Sequence, residues 1–220
     1  MTEGKRRLLV VGLGNPGKRY EYTRHNIGYL VGRSLAGALG LSLKSDREFL
    51  GEYVEGTIEG GTVMILLPTT YMNLSGQSVK RCIDFFKLPS EQVIVVCDDV
   101  ALPFSKLRLK DRGSSGGHNG LKNIEMYLGS DHYIRLKIGI GRQDTMDLAD
   151  YVLNQFDPEE LKSLPEVIEQ AKRILLVWLK EGYVKAVEQL GMLRTTSLPP
   201  LDKKPLEDKK NIMKDDLENI

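Results

Sequence analysis

The chain has 220 residues, 41% of them apolar and 28% charged. That is ordinary globular composition, and it excludes collagen-like, coiled-coil and wholly disordered classes. With 31 basic and 30 acidic residues the formal charge is +1, so no overall field advertises nucleic acid, although a basic patch fits inside a balanced total.

Lys5, Arg6 and Arg7 precede an apolar run that breaks at Gly12, too short for the apolar region of a signal peptide. No apolar run approaches membrane-spanning length. Two cysteines (Cys82, Cys97) and three histidines (His25, His118, His132) are too few and wrongly spaced for a disulfide framework or a Cys/His zinc site. The expectation is a cytoplasmic protein with reduced thiols, no metal and no membrane attachment.

Leu8–Val11 is wholly apolar and predicts a strand buried on both faces. The turn residues from Gly12 to Gly17 end it. Ile27, Leu30, Val31, Leu35, Ala38 and Leu39 then fall at helical spacing, with Gly40 placed to close the helix. Phe49–Ile58 and Thr62–Leu67 read as a hairpin joined at Glu59-Gly60-Gly61. Val79, Cys82, Ile83 and Phe86 mark a second amphipathic helix, stopped by Leu88-Pro89. Val93–Cys97 is another buried strand, running into Asp98-Asp99.

Lys106–Lys110 alternates basic and apolar residues, as an exposed strand does. The Gly/Ser run from Gly113 to Gly117 leads into a helix on Leu121, Ile124 and Leu128. Ile134–Ile140 is a further alternating strand, with Arg135 and Lys137 on one face. Residues 158–191 hold two helical segments, one on Leu161, Leu164, Val167 and Ile168 and one through Ile174, Leu175, Trp178 and Leu179. Strands alternate with helices around one hairpin, so the fold class is α/β: a single globular domain over 1–195 with a twisted mixed sheet flanked by helices. From 196 to 220 the chain is rich in proline and charge and reads as a mobile tail.

Gly12-x-Gly14-x-x-Gly17 matches the dinucleotide fingerprint in letters, but Pro16 and the polar stretch Lys18–Arg24 intervene before any helix. The acidic residue that fingerprint needs some 20 positions on is also absent. The glycines therefore read as a tight strand-ending turn that places Asn15 at a crevice. Gly113-x-Ser115-x-Gly117 spells the nucleophile elbow, yet a basic strand precedes it and no histidine follows His132. A flexible loop is the better reading.

His25 precedes the first helix, and Asp98 follows a buried strand. If both border one crevice, Asp98 fixes the tautomer of His25 and raises its basicity, making a water-activating dyad without a Ser or Cys nucleophile. Asn73 and Asn119 each precede a helix, where capping is the simpler role. As a set, three turn asparagines also suit gripping a peptide backbone or a water, because an amide donates and accepts at once. Arg108, Lys110, Arg112, Lys122, Arg135 and Lys137 flank the Gly-rich loop, where a phosphate at the helix start would also meet free backbone N–H groups.

Taken together, several blocks carry a resemblance. They are Gly12–Gly17 with Tyr20 and Thr23-Arg-His-Asn26; Pro68-Thr-Thr-Tyr-Met-Asn-Leu-Ser-Gly76; Asp98-Asp99 with Leu102-Pro103; Gly116-Gly-His-Asn-Gly-Leu-Lys122; and Arg135-Leu-Lys-Ile-Gly-Ile-Gly141. In this order, over nearly all of residues 7–190, they resemble bacterial-type peptidyl-tRNA hydrolase.

The resemblance implies a monomeric, cofactor-free hydrolase that cleaves the ester between a peptide and the terminal ribose of tRNA. It implies His25 as general base, Asp98 as its orienting partner and Asn15 as a catalytic-site residue near the scissile ester. Asn73 and Asn119 would hold peptide backbone and water, with Tyr20, Tyr71 and Met72 lining the crevice. Arg108, Lys110 and Lys137 match positions linked to tRNA phosphate. The alternative is a non-catalytic, RNA-binding relative. Cys97, Ala101 and Ser115 depart from residues common in the family.

Overall fold

The computed structural model describes residues 6–143 and 145–196. The expected tail, Thr196 apart, lies outside the described residues. In chain order the elements are β1 (Arg6–Gly12), α1 (Ile27–Ala38), β2 (Lys44–Asp46), β3 (Gly51–Ile58), β4 (Gly61–Pro68), α2 (Ser75–Phe86), β5 (Val93–Asp99), β6 (Leu107–Lys110), α3 (Asn119–Leu128), β7 (Ile134–Gly139), α4 (Leu148–Leu153), α5 (Pro158–Glu181) and α6 (Tyr183–Thr196).

The strands form one mixed sheet in the order β2-β3-β4-β1-β5-β7-β6. The four central strands β4, β1, β5 and β7 are mutually parallel. Towards the edges β3 runs antiparallel to β4, β2 to β3, and β6 to β7. Apolar residues of β1 divide by parity. Leu8 and Val10 face the core shared with α1, α5 and α6, while Leu9 and Val11 face the one shared with α2 and α3. A strand covered on both faces must be apolar throughout, which is why Leu8–Val11 carries no polar residue.

Several boundaries differ from the sequence reading. The hairpin strand begins at Gly51, and Phe49 instead packs its ring against Tyr53, Phe85 and Phe86. Two short elements, β2 and α4, lie outside the predicted set. Three polar residues give β2 no apolar alternation to detect. The two expected helical segments, over 161–168 and 174–179, are one helix, α5; the stretch divides later, at Gly182, whose φ of +89° is open to glycine and costly for other residues.

Arg135 and Lys137 do share a face of β7, but α3 covers that face at Arg135. This residue is 1% exposed, paired to Glu125 at 3.3 Å and stacked on Tyr133. It is a buried ion pair rather than part of a basic surface.

One glycine contact sets up the site. A Cβ at Gly28 would stand 2.2 Å from the carbonyl oxygen of Val96. The missing side chain lets α1 lie against the carboxyl ends of β1 and β5, which brings the residues just ahead of α1 to the end of β5. In parallel sheets that edge, where successive crossovers depart to opposite faces, is where a crevice opens.

Candidate active site

His25 lies in a single 3-10 turn, Arg24–Asn26, leading directly into α1, and Asp98 is the penultimate residue of β5. Their side chains meet: Nδ1 of His25 is 2.8 Å from Oδ1 of Asp98. The sequence separation of 73 residues is closed by the α1 approach just described. Both residues are nearly buried, at 6% and 3% exposure.

A third group completes the cluster. Nε2 of His118 is 3.0 Å from the same Asp98 oxygen, and the two imidazole centroids are 4.7 Å apart. The hydrogen bonds fix both tautomers. Nδ1 of His118 accepts from the backbone N–H groups of Gly120 and Leu121, so its proton sits on Nε2 and is donated to Asp98. His25 donates from Nδ1 to Asp98, which leaves Nε2 as a lone pair. That is the arrangement a general base needs.

The electrostatics agree. Burial pushes the Asp98 carboxyl up, but the two imidazoles beside it, through charge and hydrogen bonds, outweigh burial and hold it below the usual carboxylate range. For His25, burial lowers the pKa, yet the Asp98 charge and hydrogen bond prevail and raise it above its ordinary value of 6.5. Each effect follows from a carboxylate that stays ionised in a nearly dry place. The ligand atoms of His25, Asp98 and His118 lie within 4.8 Å of one another, a spacing that could hold a metal ion. Nδ1 of His25 and Nε2 of His118, however, carry the protons that bind the cluster together, and an ion held through those atoms would have to displace both.

The cluster opens on a crevice of about 310 Å³, whose lining includes Asp99, Ser115, Gly117, Asn119, Lys137 and, from α4, Leu148 and Val152. A second cavity of about 300 Å³ is lined by Asn15 together with Lys18, Tyr29, Arg33 and Glu52. Asn15 itself is locked in place. Its backbone N–H and carbonyl both bond the Asn26 side chain, at 2.8 and 2.9 Å, and its Oδ1 accepts from Met72 N–H at 2.8 Å. With Oδ1 engaged, Nδ2 is the atom left to donate.

The other expected residues fall out unevenly. Asn119 lines the crevice and is exposed, as is Asn73 in the 3-10 turn Met72–Leu74. Neither caps a helix. His118 caps α3, and Leu74 occupies the cap position of α2 without a side-chain bond. Among the described residues neither amide makes a side-chain hydrogen bond. Met72 is buried at 4% with its sulfur against Gly120, whereas Tyr71 is half open to solvent. Tyr20 lies under the Arg19 guanidinium at 4.6 Å.

The basic residues separate. Arg108 and Lys110 sit on the edge strand β6, with Lys110 exposed. Lys137 turns into the crevice and pairs with Asp99 at 3.3 Å. The α3 N-terminus is no open phosphate site either, because His118 already takes two of its N–H groups. Cys97 is fully buried among the apolar residues facing α2 and α3, where burial pushes its thiol up and keeps it inert.

Two parts of the site escape a reading of the sequence. His118 is there only one letter in Gly-Gly-His-Asn, and no spacing links it to Asp98. The α4 lip does leave a signal: Asp147, whose side chain caps the helix, precedes Leu148, Tyr151 and Val152 at helical spacing.

Comparison with known proteins agrees with this geometry. The family model described as Peptidyl-tRNA hydrolase matches residues 9–197. The chain belongs to the peptidyl-tRNA hydrolase family. It is 46% identical over 187 residues to the peptidyl-tRNA hydrolase of Chloroflexus aggregans, covering 84% of this chain and 99% of that one. To the peptidyl-tRNA hydrolase of Clostridium novyi it is 41% identical over 184 residues, 84% and 97% of the two chains.

Among solved structures, the peptidyl-tRNA hydrolase of Acinetobacter baumannii superposes with a TM-score of 0.80 at 34% identity, covering 86% of this chain and 97% of that one. The β5 end, the turn before α1 and the α3 cap thus bring a histidine–aspartate–histidine cluster together on a peptidyl-tRNA hydrolase fold. Among the described residues no helix is long and apolar enough to cross a membrane.

Proposed function

We propose that this member of the peptidyl-tRNA hydrolase family cleaves the ester joining a peptide, or an N-blocked aminoacyl group, to the terminal ribose of tRNA, and that His25 performs the chemistry as general base. The observation that carries the assignment is the His25 Nδ1 contact with Asp98 Oδ1 at 2.8 Å, shared with His118 Nε2 at 3.0 Å: with Nδ1–H given to the carboxylate, Nε2 of His25 is left to take a proton. Nε2 of His25 removes a proton from water as the oxygen attacks the ester carbonyl. The tetrahedral intermediate then expels the ribose oxygen, which recovers that proton from the imidazolium. Asp98 stays ionised throughout, and stabilises the charged ring.

Asn15 Nδ2 is the donor for the developing oxyanion, held ready because Met72 N–H fixes its other atom. Asn73 and Asn119 hold peptide main chain and the attacking water, so the enzyme reads no peptide sequence. Tyr20 and Tyr71 line the path of the substrate, while Met72, its side chain buried, contributes through the N–H that holds Asn15. Arg108 and Lys110 meet phosphates of the acceptor stem from the β6 edge. Lys137, paired with Asp99 inside the crevice, meets the phosphate nearest the ester. The protein works as a cytoplasmic monomer, with its chemistry confined to residues 1–195 and the 196–220 extension outside the catalytic unit.

The deciding assay is release of tRNA from N-acyl-aminoacyl-tRNA, with the free-amine aminoacyl-tRNA as control. Turnover of the first that disappears in His25→Ala supports the assignment. A wild-type chain that binds tRNA without turnover would instead make it an RNA-binding relative.

A further inference from the structure

Beside His25 the chain buries a cation that the reaction as described does not use. The Arg24 side chain is 3% exposed. Its Nη2 donates to Oε2 of Glu160 at 2.6 Å and lies 3.2 Å from Oδ2 of Asp157; its Nη1 donates to the carbonyl of Gln155 at 2.7 Å. The guanidinium lies over the Tyr151 ring, 4.4 Å from its centroid. Tyr151 in turn donates its hydroxyl to the carbonyl of Ile140, just past β7.

The main chain joins the same way. Arg24 N–H donates to the Asn154 carbonyl at 3.1 Å, Phe156 N–H to the Tyr22 carbonyl at 3.3 Å, and Thr23 bridges Gln155. The turn carrying His25 is therefore tied to the α4–α5 junction by these main-chain bonds and by one planar cation with contacts in several directions. A buried charge of this kind is a weak source of net stability, because desolvation offsets most of the pairing. Such a group is better explained by the geometry it enforces.

We propose that Arg24 is a positioning residue for His25: its fork fixes the turn so that the imidazole, one residue on, keeps its bond to Asp98. Asp98 grips the ring from β5, and Glu160 of α5, with Asp157 and the Gln155 carbonyl ahead of it, holds the same turn through the Arg24 side chain. His118 faces the ring from the α3 cap, and Asp99, Lys137 and Asp147 share the crevice with it. Without the Arg24 grip, the turn keeps its main-chain bonds to Asn154 and Phe156 and the ring its Asp98 contact, but the side-chain brace to Glu160 and the Gln155 carbonyl is lost. Lysine is no substitute, because one ammonium cannot reach Glu160 and the Gln155 carbonyl while lying flat on Tyr151.

This inference rests on His25 being the base, and the test separates the two. One variant is Arg24→Lys. The other is the double change Arg24→Met with Glu160→Gln, which leaves no lone buried carboxylate where the guanidinium was. Both are assayed on N-acyl-aminoacyl-tRNA, well below their melting midpoints and per folded molecule. The expected result is a fall in kcat of about ten- to a hundredfold, little change in KM, and an acid limb of the kcat profile moved to lower pH as the Asp98 contact slackens. A lower melting temperature with kcat unchanged, or an unmoved acid limb, overturns the proposal, whichever variant shows it. If the double variant does not fold, Arg24→Lys alone decides by the same two readings. Wild-type enzyme inactive on this ester would overturn the reading of His25 instead.

Discussion

The two sides of the crevice are built on opposite principles. On one side His25, Asp98 and His118 are tightly enclosed, and their mutual bonds leave His25 Nε2 as the uncommitted ring nitrogen. On the other, Asn73 and Asn119 are exposed amides whose side chains bond nothing among the described residues. A group that moves a proton works best when its neighbours are fixed before substrate arrives, since reorganisation then adds nothing to the barrier. A group that grips substrate needs unmade bonds to offer. Damage to the first side should therefore appear in kcat, and damage to the second in KM.

The largest effect is expected for His25→Ala. Removing a general base costs on the order of a hundred- to ten-thousandfold, read as kcat in single-turnover hydrolysis while KM stays within a few-fold. Asp98→Asn comes next, at about a hundredfold, and has a signature of its own. Wild-type kcat should fall on the acid side with a limb above 6.5, because base action needs the neutral ring and Asp98 favours the charged one. Without that carboxylate only burial acts on His25, and burial lowers its pKa. The limb should move below 6.5; a limb that stays in place would mean that another group titrates.

His118→Ala tests the member of the cluster with two duties. It removes one donor from Asp98 and the cap of α3, so kcat should drop about tenfold while stability falls by about 1 kcal/mol, measured by denaturant unfolding. A stability loss without a kinetic one would reduce His118 to a cap. On the open side, Asn119→Ala or Asn73→Ala should raise KM about three- to tenfold, the worth of one substrate hydrogen bond, with a fall in kcat, from the less well held water, smaller than that of His118→Ala. A kcat loss matching that of His118→Ala would erase the contrast between the two sides.

How much of this is legible in the sequence depends on range. Leu8–Val11 announces a central strand because double burial demands an unbroken apolar run, and its burial follows. Asp98 and His25 are legible as ends of elements. Their contact is implied only by the resemblance and not by spacing, because it depends on how closely α1 lies on β1 and β5, which the missing side chains at Gly12 and Gly28 allow. His118 escapes because its role is purely tertiary. Arg135 misleads: alternation shows which residues share a face of β7, and nothing local says that α3 covers that face and encloses the cation with Glu125.

The smallest predicted effect concerns the basic edge, where Lys110 and Lys137 part company. Lys110 is exposed on β6, so a phosphate contact there is screened like any surface charge. Lys110→Ala should raise KM for the full tRNA substrate only about two- to fivefold at moderate salt. It should also shallow the slope of log(kcat/KM) against log salt by about 0.7 to 0.9, the share of one released counterion. A minimal ester lacking the acceptor stem should show no change. Lys137 differs because Asp99, 3.3 Å away, already balances it inside the crevice. Lys137→Ala leaves Asp99 without that cation next to the site as well as removing a phosphate contact, so part of its effect should persist at high salt and on the minimal ester. If both variants respond to salt in the same way, Lys137 belongs with the edge and the Asp99 pair does not hold it in the crevice during binding.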